Sequence, residues 1–255
     1  MRKSLLIILA VLICLEVFPQ GEIDDIGKGL GKNERTFAIV FNSNGWGFNY
    51  RYAKRLDGYR KRLFDFDLIG VKHPKEIKSV NLLNEVQKKF VYGKINQFYT
   101  LRAGIGNQKE IFSRFDKGGI SIRYFYSFGL SLGLLKPIYY EVAYYDPVLE
   151  YSRLRIEKYN FYTQHNEGSI WGKASFFEGI NETVFEPGGF IKTGLNFDFS
   201  DNNDNIRSLE TGIIIDIYSR KIPIMATKEN NSVFLSLFVA YRFGKTHNKR
   251  LKNTG

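Results

Sequence analysis

A small set of side chains in this sequence has the chemistry of a catalytic acid, base or nucleophile. The three histidines are His73, His165 and His247. His165 is close in sequence to Ser169, a candidate nucleophile, and Glu167 and Asp146 are candidate orienting carboxylates in the same segment. Their spacing matches no hydrolase motif, and the H-x-S pattern of lipid A deacylases is absent. We therefore expect no catalytic residues, and the alternative is a lipid hydrolase that uses His165 and Ser169.

Cofactor and metal chemistry has still fewer candidates. The single cysteine is Cys14, and no histidines or carboxylates have the spacing of metal ligands. The glycines at 27–31 (GKGLG) precede no β-α unit, so they do not predict a phosphate-binding loop. We expect no cofactor and no metal.

The N-terminal segment predicts export. A positively charged start precedes an apolar run of about eleven residues, Leu5 to Leu15, which is too short to span a bilayer as a helix. The sequence therefore predicts a signal peptide over residues 1–21, cleaved near Gln20 or Gly21, although the A-x-A pattern is missing. A short membrane anchor is the alternative. Cleavage would remove Cys14 and exclude disulfides from the mature chain.

The composition favours strands at a membrane and an anionic environment. The chain has 16 Tyr and 22 Phe, residues typical of β-strands and of the aromatic girdles of membrane barrels. Lys and Arg number 37 against 26 acidic residues, which gives a formal net charge of +11. A basic surface favours lipopolysaccharide phosphates as neighbours, and an exported protein would not meet nucleic acid.

Side-chain alternation with a period of two is the strongest structural signal. Between Ile120 and Leu134 one face carries Ile120, Ile122, Tyr124, Tyr126, Phe128, Leu130, Leu132 and Leu134. The opposite face carries Ser121, Arg123, Phe125, Ser127, Gly129, Ser131 and Gly133. Ile191–Phe199, Leu209–Ile217 and Val233–Phe243 repeat this pattern. The length of the first segment is natural for a tilted membrane strand.

Five further segments complete a set of nine candidate strands. They are Phe37–Phe41, Trp46–Tyr52, Leu63–Val71, Tyr99–Ile105 and Ile138–Tyr144. Bacterial single-chain barrels have even numbers of strands. We interpret the first two segments as one bulged strand, which predicts a single antiparallel transmembrane β-barrel of about eight strands. Ten strands would result if Ile120–Leu134 folded back on itself.

The same count divides the chain into regions and connections. It predicts a lead-in over 22–34, a barrel over 35–244 and a basic tail over 245–255. The long connections are residues 72–94, 145–187 and 219–231. With both termini periplasmic, an eight-strand count makes 145–187 extracellular and 72–94 periplasmic. Residues 82–90 (LLNEVQKKF) are predicted to form a short amphipathic helix.

The faces opposite the apolar ones carry the candidate functional residues. This predicted lumen network consists of Asp65, Asp67, Arg102, Arg123, Lys192, Asp198, Glu210 and Asp216. In a narrow barrel these charges predict a salt-bridge network that fills a closed lumen, and the alternative is a selectivity or substrate path.

A separate basic cluster surrounds the Asp57-Gly58 turn. It contains Arg51, Lys54, Arg55, Arg60, Lys61 and Arg62. We interpret these as long side chains that extend to the membrane interface, with phosphate binding as the alternative.

Several segments resemble one family. They are SNGWGFNYRYAKRL, LIGVKHPKEIKSVN, DKGGISIRYFYSFGLSLGLLKPIYYEV and KIPIMA. Together they are similar to a family of outer-membrane β-barrel proteins from Bacteroidota. The resemblance implies the barrel fold and the outer membrane of a Gram-negative bacterium, and it implies no activity or catalytic residues. The last strand ends Tyr241-Arg242-Phe243, which resembles the signal read by the barrel assembly machinery.

These observations together predict a non-enzymatic outer-membrane protein. It would act as a membrane scaffold or as a component of an envelope machine, with a closed polar lumen. Its expected partners are outer-membrane lipids and lipopolysaccharide, the barrel assembly machinery during insertion, and an envelope protein. A small pore, a lipid-modifying hydrolase and a soluble lipid-binding barrel are the alternatives.

Overall fold

The computed structural model describes residues 32–81, 88–114, 119–146, 151–160, 170–200, 204–226 and 229–247. Within these ranges the strands are β1 (Asn33–Asn42), β2 (Gly45–Arg55), β3 (Arg60–Val71), β4 (Lys78–Val80), β5 (Lys89–Val91), β6 (Asn96–Phe112), β7 (Ser121–Pro137), β8 (Tyr139–Asp146), β9 (Tyr151–Lys158), β10 (Ile170–Lys173), β11 (Val184–Asp198), β12 (Asn205–Tyr218) and β13 (Val233–His247). A short 3-10 helix covers Ile180–Glu182.

Eight of these strands close into an antiparallel barrel in the order β1-β13-β12-β11-β7-β6-β3-β2. Closure is complete because β1 pairs on one side with β2 and on the other with β13. Phe37, for example, lies opposite both Tyr50 and Phe243. The predicted eight-stranded barrel is therefore confirmed, and the ten-stranded alternative is wrong.

Two of the eight strands differ from those expected. The segments Phe37–Phe41 and Trp46–Tyr52 form separate strands, β1 and β2, joined by a two-residue turn at Ser43 and Asn44. Such short loops typically join antiparallel strands into hairpins. Ile138–Tyr144, by contrast, is outside the barrel, because β8 belongs to a separate sheet.

Apolar side chains cover the outside of the barrel, and its inside contains buried charged and polar side chains together with some apolar ones. On β7, Leu130 is 77% exposed, while the inward-facing Ser127 and Ser131 are buried. On β12, Ile213 and Ile215 are exposed on either side of the buried Ile214. An apolar exterior and a polar interior are typical of membrane barrels, and the reverse would be expected of a soluble lipid-binding barrel. No helix within the described residues is long and apolar enough to span a membrane.

Strand order places the connections at two ends of the barrel. One end, which we call the turn end, carries the connections 56–59, 113–120 and 199–204, together with the start of β1 and the end of β13. The other end, which we call the loop end, carries the turn at 43–44 and the three long connections, 72–95, 138–183 and 219–232. The expected separation of 72–94 from 145–187 is therefore wrong. The expected count treats β1 and β2 as one strand and so omits the reversal of chain direction between them, which assigns 72–94 to the wrong end.

Described parts of the long connections fold into a structure at the loop end that we call the cap. It contains a two-stranded sheet, β4-β5, and a three-stranded sheet of order β10-β8-β9. These sheets share a small hydrophobic core of Phe90, Ile138, Tyr140, Val142, Tyr159 and Ile170. Lys89 and Phe90, the last residues of the predicted amphipathic helix, lie in strand β5, and residues 82–87 lie outside the described ranges.

The ends of the barrel extend slightly beyond the predicted limits. β1 begins at Asn33, so the last two residues of the predicted lead-in belong to the barrel. β13 continues to His247, and Lys245 pairs with Arg35 there, so the first three tail residues are strand. The predicted signal peptide, with Cys14, lies outside the described residues.

Candidate functional site

The middle of the lumen is held by two arginines that share one glutamate. The Nε atom of Arg51, on β2, lies 2.5 Å from Asp65 Oδ1, and its Nη1 atom lies 2.6 Å from Glu210 Oε1. Arg242 on β13 donates from Nε to the same Glu210 oxygen at 2.9 Å. All four side chains are at most 3% exposed. The alternation of β2, β3, β12 and β13 brings these four charges together across the barrel.

A second group of charges lies in the same lumen. Arg102 donates two hydrogen bonds to Asp216, each 2.7 Å long, and its Nη1 lies 3.6 Å from Asp67 Oδ2. Lys192 Nζ lies 3.4 Å from that same Asp67 oxygen and 5.1 Å from the ring centre of Phe238. Bidentate arginine–carboxylate pairs fix geometry as well as charge, so this group cross-links β3, β6, β11 and β12.

The lumen contains aromatic rings as well as charges. Phe125, on the polar face of β7, is completely buried, and the Arg51 guanidinium lies 4.7 Å from its ring centre. The largest fully buried side chains include Arg51, Arg102, Phe125, Lys192 and Phe238. An eight-stranded barrel has an interior only just wide enough for side chains of this size, so they fill it.

A third charged group lies towards the turn end. Arg123 Nη2 lies 2.7 Å from Asp198 Oδ2, and Arg114 Nη2 lies 3.4 Å from the other oxygen of Asp198. Lys61 forms a salt bridge with Glu34, and both side chains are largely buried. These pairs place fixed charges of both signs across the lumen near its mouth at the turn end.

The opposite end of the lumen is apolar. The rings of Phe98, Tyr218 and Phe234 lie 5.5–5.9 Å apart, and the hydroxyls of Tyr218 and Thr100 share a hydrogen bond of 2.9 Å. A Cβ on Gly133 would lie 2.9 Å from the Phe98 ring, so this position accommodates the cluster only as glycine.

A segment of the third long connection completes this apolar layer. Ile222, Ile224 and Met225 are buried in one hydrophobic cluster with Phe98, Leu135 and Tyr218. The backbone fixes them there, because Ile95 N–H donates to the Ile224 carbonyl at 3.0 Å and Lys94 forms a β-bridge with Met225. We call this layer, with the three rings, the apolar plug.

The structure places all eight residues of the predicted lumen network inside the barrel. Each forms an ion pair, and the pairs divide into the three groups described above. Two central members were missing from that set, Arg51 and Arg242. Both could have been found, because each alternates with outward aromatic residues on its own strand.

The interpretation of the basic cluster at the Asp57-Gly58 turn is wrong for two of its six residues. Arg51 and Lys61 are buried in the lumen, at 2% and 7% exposure, so they do not extend to the interface. Lys54, Arg60 and Arg62 do face outward and are exposed. Residues that are neighbours in sequence alternate between the two faces of a strand, so a cluster defined by sequence proximity contains both inward and outward side chains.

The candidate catalytic residues do not form a site within the described part of the chain. The Nε2 of His73 lies 3.0 Å from the Glu229 carbonyl, and its Nδ1 accepts the backbone N–H of Lys75 at 3.2 Å, so both ring nitrogens hold loop structure. His247 is the last residue of β13 and is exposed. His165, Glu167 and Ser169 lie outside the described residues.

Metal ligation has no candidate in the same part of the chain. No group of three or more histidine, cysteine or acidic side chains there is arranged to hold a metal ion.

Comparisons with known proteins find similar architecture. No protein-family model matches the chain. No curated protein matches it either. The crystal structure of Neisserial surface protein A (NspA) is similar at 10% identity and a TM-score of 0.41, covering 84% of this chain and 96% of that chain. That of Ail, the attachment invasion locus protein of Yersinia pestis, in complex with the heparin analogue sucrose octasulfate, is similar at 8% identity and a TM-score of 0.40, covering 85% of this chain and 99% of that chain.

The geometry of the chain itself defines its class. A closed set of eight antiparallel strands, an apolar exterior and a charged interior are the features of a transmembrane β-barrel of the outer-membrane type.

Proposed function

We propose that this protein resides in a bacterial outer membrane as a non-enzymatic scaffold, in which a closed barrel anchors a folded cap. The observation that carries the proposal is the pairing of the lumen charges with one another. Arg51, Arg242 and Glu210 form a buried triad in the middle of the barrel, where a transport path would need free ligands. The apolar plug closes the lumen at the loop end.

The cap has the internal order expected of a display surface. The Tyr140 hydroxyl lies 2.8 Å from the Val91 carbonyl and 2.7 Å from the Lys94 carbonyl, which joins the first long connection to the second. Burial raises the pKa of Tyr140, so its hydroxyl remains a donor at any physiological pH. Asn81 Nδ2 donates to the Ile170 carbonyl at 3.0 Å and joins the same two connections.

An envelope protein is the partner that the cap fits best. β9 pairs with β8 and is at the edge of its sheet, and its Leu154 and Ile156 side chains are about half exposed. An exposed edge strand with apolar side chains is a template for pairing with another polypeptide. On the opposite face of β9, Arg155 lies 5.3 Å from the Tyr144 ring centre and adds positive charge.

Other partners follow from the same placement. Lys72, Lys75 and Lys78 are exposed at the loop end, where lipopolysaccharide phosphates would be neighbours if that end faces the medium. The outward aromatic residues Tyr241 and Phe243 on β13 would present the signal for the barrel assembly machinery. The resemblance to Bacteroidota barrels suggests the kind of envelope in which these partners would be found.

Labelling from outside the cell tests the location and the orientation. Outer-membrane barrels have their longer loops outside, so Ile156→Cys should react with a membrane-impermeant maleimide on intact cells. The matched control, Leu130→Cys on the apolar exterior, should stay unlabelled when intact cells that express it are treated in the same way. Fractionation should recover both variants with the outer membrane. A cap that is labelled only after the outer membrane is permeabilised would contradict the proposed orientation, and soluble periplasmic protein would contradict the location.

A further inference from the structure

Outward-facing cations encircle much of the barrel at its turn end. The exposed residues are Arg35, Lys54, Arg60, Arg62, Lys109, Arg207 and Lys245. They occupy six strands that are adjacent in the barrel: β12, β13, β1, β2, β3 and β6. We call this set the basic collar. On the remaining two strands, β7 and β11, the outward residues near this end are Ile122 and Phe197, so the collar is open on one side.

Pairs of these cations lie directly opposite each other across neighbouring strands. Arg35 is opposite Lys245. Lys54 is opposite Arg62, and Arg60 is opposite Lys109. Directly opposed like charges destabilise a sheet unless a counter-charge is bound between them. Three such pairs on one rim are thus arranged to meet an external anion.

Few of the collar cations form an ion pair with an acid among the residues that the structure describes. Among the described residues, Arg60 lies 3.5 Å from the exposed Asp57, and no described acid forms an ion pair with Arg35, Lys54, Arg62, Lys109 or Lys245. The buried acids of this end, Glu34 and Asp198, face the lumen and are paired there. The collar therefore presents its charge outward.

The position of the collar indicates what kind of anion it meets. Tyr52 lies directly opposite Arg35 on the outer face, and its ring is stacked 6.1 Å from that of Phe64. Further aromatic residues, Tyr241 and Phe243, lie in the same region on β13. Aromatic girdles of membrane barrels lie at the level of the lipid headgroups. The cations beside these rings, such as Arg35, and those one outward position further, such as Lys54 and Arg62, are then at the level of headgroup phosphates.

We propose that the basic collar binds the phosphate groups of anionic phospholipids in the membrane leaflet at the turn end. Each opposed pair of cations shares one headgroup phosphate, which removes the repulsion between them. Because β7 and β11 lack such cations, the bound lipids leave that side of the barrel uncovered. This inference does not depend on the cap or on a closed lumen.

Spin-labelled lipids in reconstituted vesicles give a direct test. The wild-type protein is inserted into phosphatidylcholine vesicles, and the motionally restricted fractions of spin-labelled phosphatidylglycerol and phosphatidylcholine are compared. We expect a preference of roughly fivefold for phosphatidylglycerol at low ionic strength, falling as sodium chloride is raised. Equal fractions of the two lipids, or a preference that salt does not change, would overturn the proposal.

Matched variants locate the preference on the barrel. Lys54→Gln/Arg62→Gln/Lys109→Gln should lose most of it, while Lys72→Gln/Lys75→Gln/Lys78→Gln, the same charge change at the loop end, should keep it. Loss in both variants, or in neither, would contradict binding at the collar. The collar variant removes repulsion and should fold, and the salt dependence of the wild type tests the proposal independently.

An exchange of chloride for inorganic phosphate distinguishes a site for a lipid headgroup from a site for a free anion. Replacing chloride with phosphate at equal ionic strength should leave the lipid preference unchanged, because the phosphate of a lipid is held at the surface by its acyl chains. Specific loss of the preference in phosphate would show a site for free anions and overturn the lipid assignment.

Discussion

Glu210 is the residue on which the lumen network depends most. It accepts hydrogen bonds from Arg51 and Arg242 and is completely buried. The alternation of β12 predicts its inward position, and the sequence also places Asp216 on that face. Its two arginine partners could not be chosen from sequence, because pairing across a barrel depends on strand order and shear.

Removing the Glu210 charge should destabilise the barrel strongly. In Glu210→Ala two buried guanidinium groups lose their shared partner, and breaking a buried pair costs about 3–5 kcal/mol. The measurement is urea unfolding in lipid vesicles, with Glu178→Ala, an exposed acid at the loop end, as the control. An unfolding midpoint equal to that of the control would show that the triad contributes no stability.

A substitution at Leu130 tests whether the exposed face of β7 contacts lipid. It is 77% exposed near the middle of β7, so Leu130→Arg places a charge near the bilayer midplane. We expect a cost of about 2–4 kcal/mol and failure of membrane insertion. Leu154→Arg, on the exposed edge of the cap, should assemble normally. Heat-modifiable migration on gels measures assembly, and normal assembly of Leu130→Arg would place that side chain away from lipid.

At the level of elements, alternation predicted the strands well and their connections poorly. β7, β11, β12 and β13 were identified because apolar residues occupy every second position over many residues. Ile138–Tyr144 alternates for a different reason: Tyr140 and Val142 face the core of the cap. A periodic pattern shows that one face is buried, and it does not show against which element.

The apolar plug illustrates a further limit of sequence analysis. Ile222, Ile224 and Met225 belong to a short segment between two barrel strands, without long periodicity. Their burial depends on contacts with Phe98 and Tyr218, which come from distant parts of the chain. The sequence could therefore identify a connection there and could not show that its side chains pack against the rings at the loop end of the barrel.

The cap should loosen independently of the barrel. Tyr140→Ala removes a buried ring and the hydroxyl that joins two connections, so we expect faster trypsin cleavage within 72–95 and 138–183. The barrel should keep its heat-modifiable migration, since its hydrogen bonds are unaffected. Tyr144→Ala, which changes an exposed ring of β8, is the control. Loss of the folded barrel in Tyr140→Ala would contradict the separation of the two cores.

At the scale of the whole molecule, the barrel and the cap have separate hydrophobic clusters. The exterior of the barrel matches a lipid environment, its interior is occupied by paired charges, and its loop end is covered by apolar side chains. In the function proposed above, this arrangement holds the cap at the membrane surface and offers no continuous aqueous path. The barrel and the inward faces of its strands could be predicted from the sequence pattern, whereas the sheets of the cap could be recognised only in the structure.

Ion conductance is the measurement that tests the closed scaffold most directly. Purified wild-type protein should insert into planar lipid bilayers and give no stable, ion-selective current across the accessible voltage range. Insertion is verified independently by protease protection of the barrel in vesicles of the same lipids. A steady conductance in the wild type that changes its ion selectivity in Arg102→Gln would contradict the closed lumen and show that the protein is a pore.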